Sequence, residues 1–143
     1  MNEQNIREVL QIILKKIQDR EFLWRLEGSV NLRIQGVNVS TSDLDITTNN
    51  DGIKIFRKAL KNFIVKDFFN QKINCNSLIC DINHFEVEIN CYHDIEKNMF
   101  DKIEKKLWND LEIIILPLKY AKKFYELINY KQRVDLISKY LSN

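Results

Sequence analysis

The chain has one proline, three cysteines and no long apolar run in 143 residues. Each scarcity excludes something. The longest apolar run, Ile113-Ile114-Ile115-Leu116, falls far short of the ~20 residues a membrane-spanning helix needs. No charged segment followed by an apolar stretch opens the chain, so a cytoplasmic protein is expected. Cys75, Cys80 and Cys91 make an odd count, which argues against a disulfide framework. A zinc site with His84 and His93 is the alternative. The spacing offers no Cys-x-x-Cys pair, and Cys75 and Cys80 on one strand would point to opposite faces, so buried thiols are the expectation. A net charge of +2 is too small to argue for a nucleic-acid partner. No internal repeat or low-complexity stretch interrupts the chain.

What is present is an ordinary globular composition, 45% hydrophobic and 29% charged. Its length suits one domain over residues 1–143 with a real core. Ile6, Val9, Leu10, Ile13 and Ile17 form one apolar stripe and predict a helix over 3–18, with Lys15, Lys16 and Arg20 suiting the negative end of its dipole. A short strand, Phe22–Leu26, leads to Gly28-Ser29. Residues 30–35 predict a short helix ended by Gly36. After a strand over 43–48, Asn50 or Asp51 caps an amphipathic helix carrying Ile53, Phe56, Ala59, Leu60 and Phe63. Three strands follow at 64–69, 74–82 and 85–91, with turns at 70–72 and 83–84 short enough for antiparallel hairpins. Residues 92–99 read as a loop and 100–108 as a helix or a mixed segment. Residues 112–116 predict a buried strand. Pro117 starts a helix at its first position, burying Leu118, Ala121, Phe124, Tyr125 and Ile128. A break near 129–130 precedes a last helix with Val134, Ile137 and Leu141 inward.

The chemistry concentrates in two stretches. Ser42-Asp43-Leu44-Asp45-Ile46 interleaves two acids with two aliphatics, so on a strand both carboxylates leave by one face. Paired carboxylates there repel each other and suit a hard divalent cation shared with phosphates. Leu26-Glu27-Gly28-Ser29 provides a turn whose backbone N–H groups can meet a phosphate if a helix begins there. On the strand over 85–91, Phe85, Val87 and Ile89 face one way and Glu86, Glu88 and Asn90 the other; alternation alone describes a half-exposed strand.

The run Trp24-Arg25-Leu26-Glu27-Gly28-Ser29 through Gly36-Val37, with Ser42-Asp43-Leu44-Asp45-Ile46 after it, resembles the polymerase-β-like nucleotidyltransferase superfamily. That superfamily has a hydrophobic-Gly-Gly/Ser turn, a similar spacer, an Asp-hydrophobic-Asp/Glu-hydrophobic strand and a third acid on a later strand. The whole chain resembles a minimal single-domain prokaryotic member. The resemblance implies an α+β fold, a central mixed sheet flanked by helices with C-terminal helices over about 117–143. It selects Glu88 as the third carboxylate, between Val87 and Ile89, with Glu86 as runner-up. It implies transfer of a nucleoside monophosphate, AMP from ATP, to an acceptor hydroxyl by a two-metal mechanism. Asp43, Asp45 and Glu88 would hold Mg²⁺ or Mn²⁺. Gly28 and Ser29 would meet the phosphates.

Other cations are candidates for the phosphates. Arg33 lies on the short helix, though a solvated surface arginine fits equally. Lys119, Lys122, Lys123, Lys131 and Arg133 stud the last helices among Tyr120, Phe124, Tyr125 and Tyr130. Such a pattern is most often a solvated helix face, yet it also suits triphosphate or nucleic acid; Lys123 is taken as the candidate. The acceptor is open between a small molecule, a tRNA end and a protein hydroxyl, and a second copy or a partner chain is expected to complete its site. Two rival functions stand beside the enzyme: a catalytically weak nucleotide-binding or antitoxin-like module of the same fold, and a nucleic-acid-binding domain using the basic C-terminal helices.

Overall fold

A computed structural model describes residues 1–143. Its centre is a five-stranded mixed sheet built from β1 (Trp24–Glu27), β2 (Leu44–Thr48), β3 (Ile64–Asn70), β4 (Cys75–Ile82) and β5 (Phe85–Tyr92). The spatial order is β1-β2-β5-β4-β3. Only β2 and β5 run parallel; the other neighbours are antiparallel. The β4–β5 hairpin turns on Asn83 and His84, both left-handed (φ 55° and 68°), the geometry that matches strand twist in a two-residue turn.

Two layers close the sheet. On one face α1 (Glu3–Ile17) and α3 (Asn50–Ala59) cover Trp24, Leu26, Leu44, Ile46, Val87 and Ile89. The α1 stripe foreseen from its spacing, Ile6 to Ile17, is buried along its whole length. On the other face α4 (Leu118–Leu127) and α5 (Lys131–Leu141) pack Ala121, Phe124, Tyr125 and Ile137 against Cys75 and Tyr92. Beyond β1 lies a separate hairpin, β6 (Glu104–Trp108) and β7 (Leu111–Ile115). All three thiols are buried, Cys75 beneath α4–α5 and Cys80 and Cys91 beneath α1–α3. Burial pushes Cys75 and Cys80 up to about 11, so both stay thiols.

Short α2 (Gly28–Ile34) fastens the two sides together. The buried Asn31 amide donates to the Leu116 carbonyl and accepts from the Leu116 N–H, both at 3.0 Å, and Gln35 donates to the same carbonyl at 2.9 Å. This clamp fixes where the chain leaves β7 and turns into α4.

Four local expectations need correction. Residues 100–108 are a brief 3₁₀ turn followed by β6, because the strand pairs with β7 through a left-handed Asn109-Asp110 turn (φ 46° and 67°). The α3 cap is Asn49, whose side chain accepts from the Gly52 N–H at 2.8 Å. Pro117 is extended and sits just before α4, at the cap rather than the first turn. Leu141 is half-exposed, since α5 runs past the edge of its cluster.

Ile13 is fully buried and Leu107 is 74% exposed. Ile13→Ala is expected to cost about 2–5 kcal/mol in urea denaturation, and Leu107→Ala no more than about 0.5 kcal/mol.

Candidate active site

The sheet alternates, so burying Leu26, Leu44, Ile46, Val87 and Ile89 beneath α1 and α3 turns their neighbours to the opposite face. Register does the rest. Glu27 on β1 pairs with Asp45 on β2, and Asp45 pairs with Glu88 on β5. Three adjacent strands therefore each present one carboxylate at the same level. Asp43, at the entrance to β2, is half-buried, and its charge acts on both Asp45 and Glu88. Of the two candidates on β5, Glu88 stands in this row and Glu86 is exposed one pair further along.

The row is electrostatically costly. Burial pushes Asp45 up to about 9, and the charges of Glu27, Asp43 and Glu88 add to it. Burial likewise raises Glu88, helped by Glu27 and Glu86. No N–H or hydroxyl reaches the buried Oδ1 of Asp45. The groups nearest it in charge are the carboxylates of Glu27, Asp43 and Glu88, so Asp45 holds its proton well above the usual carboxylate range. Gly28 closes the site from above. It is left-handed (φ 71°), and a Cβ there would fall on Asp45 Oδ2. Ser29 is buried beside it at the start of α2, whose first turn has no side-chain cap.

These residues fit a divalent cation by chemistry. They offer hard oxygen ligands, a buried carboxyl oxygen with no donor, and a carboxyl whose proton a cation would displace. The side chains are not already gathered as a three-ligand cage. Asp45 and Glu88 are register partners on β2 and β5, with Asp43 at the entrance to β2.

Three further groups of this face escaped the sequence reading. Glu27, quoted there only as part of the turn, is buried and accepts from the Thr47 hydroxyl at 2.7 Å and the Tyr92 hydroxyl at 2.8 Å. Arg25, two residues before it on the same face, is fully buried. It donates to the carbonyls of Leu26, Lys97 and Asn98 and lies over the Phe124 ring at 4.9 Å. Burial lowers its pKa from the ordinary arginine range, and the charge of Glu27 opposes that shift. Tyr92, raised chiefly by burial, ties Glu27 to the α4 layer. An arginine and a glutamate at alternate positions of a strand next to a Gly-Ser turn were the available signal.

The candidate phosphate cations separate. Arg33 is exposed and donates to the Met1 carbonyl and the Thr41 hydroxyl, and no contact joins it to the acids. Lys123 is exposed, with Lys102 and Lys119, around the Tyr120 ring at 5.1–5.6 Å. Arg133 is bonded to Tyr125, whose phenol feels the charges of Glu27 and Asp45. A cleft of about 580 Å³ opens elsewhere, between the end of α1, residues 19–24 and the β6–β7 hairpin. It includes none of the acids of the row.

No family model matches the chain, and no curated protein does. Solved structures do. A Thermotoga maritima protein described as a "putative nucleotidyltransferase" superposes with a TM-score of 0.77 at 19% identity, covering 99% of this chain and 96% of that one. ANT(2")-Ia in complex with adenylyl-2"-tobramycin superposes at 0.62 and 10% identity, covering 96% and 90%. The chain has the nucleotidyltransferase fold, a central mixed sheet flanked by helices.

A folded-state pKa raised on Asp45 means the native chain holds a proton the unfolded chain has lost, between about pH 4 and 9. The stability of the wild type relative to Asp45→Asn is therefore greatest below pH 4 and falls as pH rises through that window, measured by urea denaturation with chelator present. A flat or rising difference would contradict the raised pKa of Asp45.

Proposed function

We propose that this chain is a nucleotidyltransferase that moves a nucleoside monophosphate, AMP from ATP, to an acceptor hydroxyl and releases pyrophosphate. The observation that carries the reading is the three-strand row of Glu27, Asp45 and Glu88, with Asp43 beside it and Gly28 lying against Asp45. The fold shared with the neighbours supports the reaction class, and the adenylylated aminoglycoside bound to one of them supports AMP as the group moved.

Asp43, Asp45 and Glu88 would hold Mg²⁺ or Mn²⁺. When bound, the cations neutralise the phosphoryl oxygens and lower the pKa of the attacking hydroxyl. The chain's own residues do the rest. Gly28, lacking a side chain, admits the phosphates to the backbone, and Ser29 hydrogen-bonds a β- or γ-oxygen. Glu88 takes the proton from the acceptor hydroxyl as its oxygen bonds the α-phosphorus and the bond to pyrophosphate breaks. Holding these groups in line supplies much of the rate. The acceptor is a small molecule, a tRNA end or a protein hydroxyl, with a second copy or a partner chain completing its site in the cytoplasm.

A non-catalytic binder or antitoxin-like module of this fold is the rival. Glu88 standing in the row with Asp45 favours the enzyme. Calorimetry should show ATP binding that requires Mg²⁺ and is lost in Asp43→Asn. That variant and Asp45→Asn should also abolish metal-dependent pyrophosphate release while keeping the native circular-dichroism spectrum. Full activity in either variant would sink the two-metal assignment.

A further inference from the structure

Glu27 is the member of the row to which the chemistry above gives no part. It is 8% exposed and stands on β1 in register with Asp45. Both of its hydrogen bonds fall on one oxygen. Oε1 accepts from the Thr47 hydroxyl at 2.7 Å and from the Tyr92 hydroxyl at 2.8 Å, and Oε2 takes none. The side-chain atoms sealed from water without a partner are Asp45 Oδ1 and Asn98 Oδ1, so Oε2 keeps some contact with solvent.

No cation of the chain is bonded to this side chain. Arg25, on the same strand face, donates to the carbonyls of Leu26, Lys97 and Asn98 instead. None of the ion pairs includes Glu27. A buried carboxylate is ordinarily paired with a cation or bound to a metal. Glu27 is held by two neutral hydroxyls, one from β2 and one from β5, with another acid opposite it. Hydroxyls that fix one carboxylate oxygen and leave the other free orient a side chain as a metal ligand.

We propose that Glu27 is a fourth carboxylate of the cation site, beside Asp45 on the β1 side, with Thr47 and Tyr92 as the positioning residues that hold it. The proposal rests on the cation reading of the acid row. Four acids, carried by β1, β2 and β5 and by the entrance to β2, then face the divalent ions. The ions become the counter-charge that no arginine or lysine of the chain gives Glu27. Tyr92 also packs against Phe124 of α4, with ring centroids 5.9 Å apart. The seating of the C-terminal helices is thereby coupled to the ligand set.

The test is Mn²⁺ binding to the full chain, alone and with α,β-methylene-ATP, which is not split at the α-phosphorus, read by calorimetry and by the EPR signal of the free ion. Glu27→Gln keeps the shape and an oxygen for both hydroxyls, and should weaken Mn²⁺ about 100-fold wherever the wild type binds it. Thr47→Val and Tyr92→Phe each remove one hydroxyl and should weaken it about 10-fold, while Thr47→Ser should match the wild type. With chelator present, Glu27→Gln should unfold in urea at or above the wild-type midpoint, because it removes an unpaired buried charge. Wild-type Mn²⁺ affinity in Glu27→Gln, with binding lost in Asp45→Asn, would overturn the fourth ligand and leave the rest of the row standing. Unchanged affinity in both hydroxyl variants would overturn the positioning roles, and a lowered midpoint in Glu27→Gln would make Glu27 a structural residue. A wild type that binds no Mn²⁺ under either condition would overturn the cation reading, and this proposal with it.

Discussion

Everything on the functional face depends on one expensive arrangement, a row of carboxylates half-sunk between a β-sheet and its covering helices. Like charges at neighbouring strand positions repel, and burial removes the water that would screen them. The fold meets that cost in three ways. Asp45 keeps its proton, hydroxyls from Thr47 and Tyr92 hold Glu27, and buried Arg25 stands two residues away on the same strand face. A row kept at such cost is a mark of function rather than of stability.

The surroundings keep the row in place. Arg25 bonds the carbonyls of Lys97 and Asn98, so the loop after β5 is tied to β1. Asn31 and Gln35 hold the backbone of Leu116, so the start of α4 is tied to the short helix that carries Gly28 and Ser29. Tyr140 donates to the Gln35 carbonyl and fastens α5 to the same turn. The C-terminal helices are thus referenced to the Gly-Ser turn by directional bonds, not by apolar contact alone. That matters for an active site, where a small misplacement of the Gly-Ser turn relative to the acids would be costly.

The surface also shows how poorly size predicts chemistry. The 580 Å³ cleft is lined by a mixture of apolar and charged residues and includes none of the carboxylates of the row.

By itself the sequence determined the elements whose signals are local. The α1 stripe, the Asp-Leu-Asp-Ile alternation, the turn at Gly28-Ser29 and the pairing of short hairpins all follow from side-chain period and turn chemistry over a few residues. Asp43 and Asp45 were legible for that reason, and Glu88 once the resemblance selected it. The β6 strand was not, because its polar run of Glu104, Lys105 and Lys106 acquires a partner only when Asn109-Asp110 folds it onto β7. Glu27, Arg25 and Tyr92 were hidden for a related reason. Their meaning lies in pairings 18, 73 and 65 residues apart, and a period-2 pattern says which face a side chain takes but not what stands opposite. Only register across three strands decided that Glu27, Asp45 and Glu88 are level. Only the packing of α4 over Tyr92 decided that Arg133 is bonded to Tyr125, while Arg33 is spent on Met1 and Thr41 and Lys123 stands by Tyr120.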